Sequence, residues 1–189
     1  MRKEIRLAGS GGQGLITAAV ILAEAAGLHQ GLSATQTQSY GPEARGGASR
    51  ADVIICDGPI HYPKAEKLDI LLAMTQEACG RYFHDLKPDG LLIVDSDLVP
   101  APPTSAALSV PITRLVRDAL GRDVFASIAA LGVVTGASEV VSADALAAAV
   151  LARVPPGTEE ANRKALELGL AAGREARARG NAEEVIGEE

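Results

Sequence analysis

Ile5-Arg6-Leu7-Ala8-Gly9-Ser10-Gly11-Gly12-Gln13-Gly14 runs directly into the apolar stretch Leu15 to Ala23. Four residues of strand character enter a glycine turn. The turn opens a buried helix, which Gly27 is placed to stop. Strand, glycine turn and helix make the first half of a βαβ unit. Gly9-x-Gly11-x-x-Gly14 also matches the dinucleotide fingerprint. Its physics is general: glycines let the backbone approach a ligand, and free N–H groups at a helix start attract an anion. Glycines serve equally where a helix packs tightly on a strand, so ligand contact and pure packing both stand at this point.

A nicotinamide or flavin cofactor fits poorly. The acid expected about 20 residues on, which would bind the ribose hydroxyls, is missing from the second predicted strand, Leu32 to Gln38. No Arg stands there for a ribose phosphate. No Lys follows Gly14, so the turn is not a nucleoside-triphosphate loop either.

Further apolar runs follow: Ala51 to Cys56, Leu68 to Met74, Leu91 to Val94 and Ala107 to Val110. They lack strict alternation, as strands covered on both faces do. Ile60-His61-Tyr62 reads as a short returning strand and Asp89-Gly90 as a turn. Thr75 is placed to cap a helix reaching about His84. Pro111 suits the first turn of a helix through Leu120, and Val124 to Val134 and Ala143 to Val154 read as helices rich in small residues. After Pro155-Pro156-Gly157, Thr158 is placed to cap a long helix that Gly180 stops. Ala161, Ala165, Leu168 and Ala172 form its thin apolar stripe, for docking on this domain or on another subunit. The fold class expected is α/β: a mainly parallel, Rossmann-like sheet with helices on both faces and a long C-terminal helix. Residues 1–180 read as one domain and 181–189 as an acidic flexible tail.

Composition narrows the function. The chain has 189 residues, 47% hydrophobic and 22% charged, so it can build a core without disulfides or metal. A net charge of −6, 3% aromatics and no Trp argue against nucleic acid. No run approaches the ~20 apolar residues of a membrane span, and no signal peptide is evident, so a cytoplasmic location is expected. Cys56 and Cys79 form no CxxC and cannot alone hold an iron–sulfur cluster or a four-ligand zinc. His29, His61 and His84 have no metal-ligand spacing. Asp95 and Asp97 end a strand, where an aspartate caps turns more often than it binds a metal or sugar. No catalytic residue is assigned.

The second candidate site is the stretch Ser39 to Arg50, whose glycines and proline mark an irregular loop. Arg45 and Arg50 suit phosphate or carboxylate, and Tyr40 and Gln38 add hydrogen-bonding groups. Ligands of open α/β sheets bind at the carboxyl ends of the strands, where both this loop and the glycine turn can lie. A surface loop whose arginines pair with Glu43 or serve an interface is the competing reading. A ligand loop without acid, base or nucleophile suggests one component of a larger enzyme.

Gly9-Ser-Gly-Gly-Gln-Gly14, Gln38-Ser-Tyr-Gly-Pro-Glu-Ala-Arg-Gly-Gly47 and Asp57-Gly-Pro-Ile-His-Tyr-Pro63 together resemble the gamma subunit of 2-oxoacid:ferredoxin oxidoreductases. Leu68 to Ala73, Leu91 to Asp95 and the spacing of Asn162, Ala165 and Gly169 continue the likeness over nearly the whole chain. The resemblance implies coenzyme A-dependent oxidative decarboxylation of a 2-oxoacid, with electrons passed to ferredoxin. The 2-oxoglutarate type is nearest; the pyruvate, 2-ketoisovalerate and indolepyruvate types are related. It implies alpha, beta and ferredoxin-like delta partners that carry the thiamine diphosphate and iron–sulfur clusters, ferredoxin as an indirect partner, and a chain inactive alone. The apolar surface that such a chain exposes when isolated would favour a homodimer. The site expected comprises Gly9, Gly11, Gly12, Gln13, Gly14, Tyr40, Arg45, Gly46 and Gly47, in contact with coenzyme A or with partner subunits. A stand-alone nucleotide-binding module and a purely structural assembly subunit are the alternatives.

Overall fold

The computed structural model describes residues 1–39 and 48–186, Ala48 and residues 181–186 by backbone alone. Six strands form one sheet: β1 (Arg2–Ser10), β2 (Ser33–Gln38), β3 (Ala48–Cys56), β4 (Leu68–Ala73), β5 (Leu86–Asp95) and β6 (Leu108–Val110). Their order is β2-β3-β1-β4-β5-β6. The pairs β1–β4, β4–β5 and β5–β6 are parallel. β3 pairs antiparallel with both β1 and β2. The sheet is thus mostly parallel but mixed, and the exception has a local cause. β2 and β3 are consecutive strands with no described helix between them, and an antiparallel pair, unlike a parallel one, needs no crossover helix.

Alternation along β1 sorts the two faces. Ile5 and Leu7 point into the larger core, with α1 (Leu15–Glu24), α3 (Ile112–Leu120), α4 (Ala126–Ser138), α5 (Ala143–Arg153) and α6 (Glu159–Ile186). Ala8 points to a smaller core with Leu71, Ala73, Leu92, Val94 and α2 (Gln76–Tyr82). Helices therefore cover both faces, unequally. Arg6 shares the α2 face. It is buried at 2% exposure, and its Nε and Nη2 donate to Asp52 at 2.6 and 2.9 Å across the β1–β3 pairing. Nη1 donates to Asp85. Burial alone would push this guanidinium down, but the two carboxylates raise its pKa above the usual value. The ring of Tyr82 lies under Arg6 at 5.0 Å, with Arg50 and Arg81 at 5.6 and 5.7 Å.

α6 docks on α4 almost backbone to backbone. Gly132 and Gly136 of α4 face Gly169 and Gly173 of α6, and a Cβ on Gly136 would lie 2.3 Å from the Leu170 carbonyl oxygen. The buried face of α6 runs through Asn162, Ala165, Leu166, Gly169, Gly173 and Ala176. The expected stripe through Ala161, Leu168 and Ala172 is displaced from it, because the contact is built on glycines that an apolar pattern overlooks. α6 docks on its own domain.

Five local expectations are corrected. Gly27 does not stop the first helix, which runs on from Glu24 as a π-helical turn, Ala25–His29. Ile60 to Tyr62 is not a strand: the segment bends at His61 and pairs with no strand, and Arg2 donates to the Tyr62 and Lys64 carbonyls. Asp89-Gly90 sits inside β5, where the register with β4 shifts between Leu68 and Ile70. Gly180 does not stop α6, which continues to Ile186. Thr158 is not a conventional cap, since its hydroxyl donates to the Pro155 carbonyl and accepts from Asn162 Nδ2. Among the described residues no helix is long and apolar enough to cross a membrane.

Candidate functional site at the carboxyl edge of the sheet

β1 delivers the glycine turn to the edge where the parallel strands end. Gly12 and Gly14 adopt φ of 87° and 75°, left-handed values that a Cβ would strain. Gly9 is needed for space: a Cβ there would meet Gln13 Oε1 at 2.1 Å and Leu15 Cδ1 at 2.8 Å. Packing therefore explains Gly9, while Gly11, Gly12 and Gly14 are exposed. Gly14 is the N-cap of α1; it offers no side-chain cap, and the first turn holds no acid. The free N–H groups there carry the positive end of the helix dipole.

α4 meets this turn. A Cβ on Gly14 would lie 3.0 Å from Ser127 Oγ, in the first turn of α4. α4 runs on directly from a 3-10 turn, Asp123–Phe125, that carries Asp123, and the Ala126 N–H donates to the Asp123 carbonyl. Ser127 carries no signal in the sequence, because the contact joins segments far apart along the chain.

Gln13 sits differently from expectation. Its Oε1 accepts the Ser10 N–H at 2.8 Å, and its Nε2 donates to the Met74 carbonyl at 3.3 Å. Both polar ends of the carboxamide are used inside the chain. Met74 N–H in turn donates to the Ala8 carbonyl at 2.8 Å. The next residues continue the edge: Thr75 caps α2 by accepting the Ala78 N–H, as expected, and Gln76 exchanges two hydrogen bonds with the Ala101 backbone.

Asp95, fully buried at the end of β5, accepts from Asp97 N–H at 3.0 Å and from Thr113 N–H and Oγ1 at 2.8 and 2.7 Å. It is a turn-holding carboxylate. Asp95→Ala leaves buried donors unpaired and is expected to cost about 2–3 kcal/mol, read as a lower urea unfolding midpoint, with a smaller loss for Asp95→Asn. No group of three potential metal ligands occurs among the described residues. Cys56 is half-buried; Cys79 is buried, and burial pushes its thiol up.

The described residues that flank the second candidate stretch lie at the same edge: Ser10, at the end of β1, pairs with Ala48, and Gln38 pairs with Ala51. Tyr40, Arg45, Gly46 and Gly47 themselves lie outside the described residues. Arg50 is on the α2 face, over Tyr82. Gln38 accepts from Gln36 Nε2 at 3.4 Å.

A family profile described as pyruvate ferredoxin/flavodoxin oxidoreductase matches residues 4–172. The chain belongs to this family. Within it, the chain is of the gamma-subunit type. It is 48% identical to the 2-oxoglutarate synthase subunit KorC of Methanothermobacter marburgensis, over 89% of this chain and 95% of that one. Its fold superposes with a TM-score of 0.87 on the crystal structure of the keto/oxoacid ferredoxin oxidoreductase gamma subunit of Geobacter sulfurreducens. That match is 47% identical and covers 93% of this chain and 98% of the other. A second structure, 2-oxoglutarate:ferredoxin oxidoreductase from Magnetococcus marinus with 2-oxoglutarate, coenzyme A and succinyl-CoA bound, shares the fold at a TM-score of 0.80 and 19% identity. There 92% of this chain corresponds to 31% of a longer one, so the same fold occurs as one part of a larger polypeptide. As a member of this oxidoreductase family, the chain is one subunit of a multi-subunit enzyme.

Proposed function

We propose that this chain is the gamma subunit of a 2-oxoglutarate:ferredoxin oxidoreductase, and that its carboxyl edge takes the anionic part of coenzyme A during oxidative decarboxylation to the acyl-CoA. The observation that carries the ligand role is the start of α1, which has neither a side-chain cap nor a first-turn acid and lies behind the exposed Gly11, Gly12 and Gly14, with Gly12 and Gly14 in left-handed conformations. Phosphate groups are the ligand chemistry that such a place favours. The oxo acid loses carbon dioxide, its electrons go to ferredoxin, and the acyl group passes to the coenzyme A thiol. Thiamine diphosphate and the iron–sulfur clusters that support this sit on alpha, beta and ferredoxin-like delta subunits. In this reading Gly11, Gly12 and Gly14 present N–H groups, and Arg45, Tyr40, Gly46 and Gly47 contribute to holding the anion.

The test uses the assembled complex. With 2-oxoglutarate as substrate, Arg45→Ala is expected to raise the KM for coenzyme A about tenfold or more, the worth of one charge-assisted hydrogen bond. Unchanged KM with weakened assembly would instead make this edge a clamp between subunits. Turnover of pyruvate in preference to 2-oxoglutarate would overturn the substrate assignment. Purification of the chain without larger thiamine- and iron-bearing partners would favour a free-standing nucleotide-binding module.

A further inference from the structure

Gln13 lies in the middle of the glycine turn, yet both ends of its carboxamide are already engaged. Oε1 takes the Ser10 N–H at 2.8 Å and Nε2 gives a hydrogen to the Met74 carbonyl at 3.3 Å. The backbone closes the same turn from the other side, with Gln13 N–H donating to the Ser10 carbonyl at 3.4 Å. The orientation of the amide follows from its partners. Reversed, it would set NH2 against N–H and carbonyl against carbonyl. The space it occupies is reserved, because any Cβ at position 9 would fall 2.1 Å from Oε1. Met74 is the first residue after β4, and its N–H is held by Ala8 of β1. One side chain thus ties the end of β1 and the start of α1 to the β4–α2 junction.

We propose that Gln13 is a positioning residue of the coenzyme A site: it withdraws the Ser10 N–H from the ligand, and by fixing the turn against Met74 it presents the Gly11, Gly12 and Gly14 backbone outward. The inference rests on the reading that the anion binds at this turn. It reassigns Gln13 from ligand contact to frame. A turn held in one shape needs no ordering when the ligand arrives, and that saving appears in affinity. Loss of the clamp therefore acts on binding, leaving the chemical step on the partner subunits alone.

Gln13→Met keeps the length of the side chain and removes both hydrogen bonds. In the assembled complex it is expected to raise the KM for coenzyme A about five- to tenfold, with kcat at saturating coenzyme A within about twofold and the yield of complex unchanged. Amide exchange over residues 9–14 should quicken in Gln13→Met. A wild-type KM in Gln13→Met, or unchanged exchange over residues 9–14, would overturn the assignment. Ser127→Asp separates this from the underlying reading, since it sets a carboxylate beside Gly14 without touching the clamp and suits the first turn of α4. A raised KM in Ser127→Asp with none in Gln13→Met would reject Gln13 as the frame and keep the anion site. Unchanged KM in both would reject the anion site, and the role of Gln13 with it.

Discussion

Arg6→Met is expected to destabilise the chain by about 3–5 kcal/mol, the cost of leaving a buried carboxylate without its partner. Asp52 is the group left behind. It is 8% exposed, and the guanidinium supplies both of its side-chain hydrogen bonds among the described residues. Asp85 is more exposed and can turn to water. The same substitution removes a cation from the Tyr82 ring, worth about 0.5–2 kcal/mol more. The loss should appear as a large fall in the urea unfolding midpoint with little change in slope. Removing the second charge as well is the informative control. Arg6→Met with Asp52→Leu fills the site with apolar groups, and buried ion pairs replaced in this way often cost nothing. The double variant should therefore recover most of the loss. If it is as unstable as the single variant, packing of the guanidinium stem, and not the orphaned charge, is what Arg6 contributes.

The glycine turn was legible in the sequence because everything that shapes it is local. Strand, left-handed glycines and helix start fall within ten residues, and the fingerprint spacing encodes the backbone geometry directly. Thr75, Pro111 and the α3 and α5 boundaries were legible for the same reason. What stayed hidden depends on register. Arg6 lies in an otherwise apolar strand, and its partner Asp52 is set opposite it only by the pairing of β1 with β3. Gln13 read as a ligand contact because its partners, Ser10 N–H and the Met74 carbonyl, are backbone groups with no trace in residue identity. Gly180 looked like a stop, but glycine costs a helix interior only about 1 kcal/mol. A Cβ there would meet only the flexible end of Leu108, so the position carries no close backbone contact either.

Gly169→Ala is the second large effect, and its sign runs against helix propensity. Alanine is the better helix former by about 1 kcal/mol, and at Gly80 of α2, where a Cβ would meet nothing within 4 Å, the same change should stabilise the chain by up to that amount. At Gly169 the added methyl would stand 2.0 Å from the Ala129 carbonyl oxygen, 2.8 Å from its carbonyl carbon and 3.0 Å from its Cα. All three atoms are helical backbone, so no rotamer change makes room. The two helices must separate, and every close approach along the crossing loosens together. Gly132 sits against Leu166 O at 2.5 Å and Gly173 against Val133 O at 2.4 Å, measured from where a Cβ would be. Overpacking of this kind costs about 1–3 kcal/mol where side chains can yield, and here they cannot. A loss of about 3 kcal/mol or more is expected, a fall of roughly 6–12 °C in thermal midpoint for a chain of this size. A midpoint raised in both Gly169→Ala and Gly80→Ala would mean that α4 and α6 stand farther apart than this crossing, and that propensity alone governs both sites.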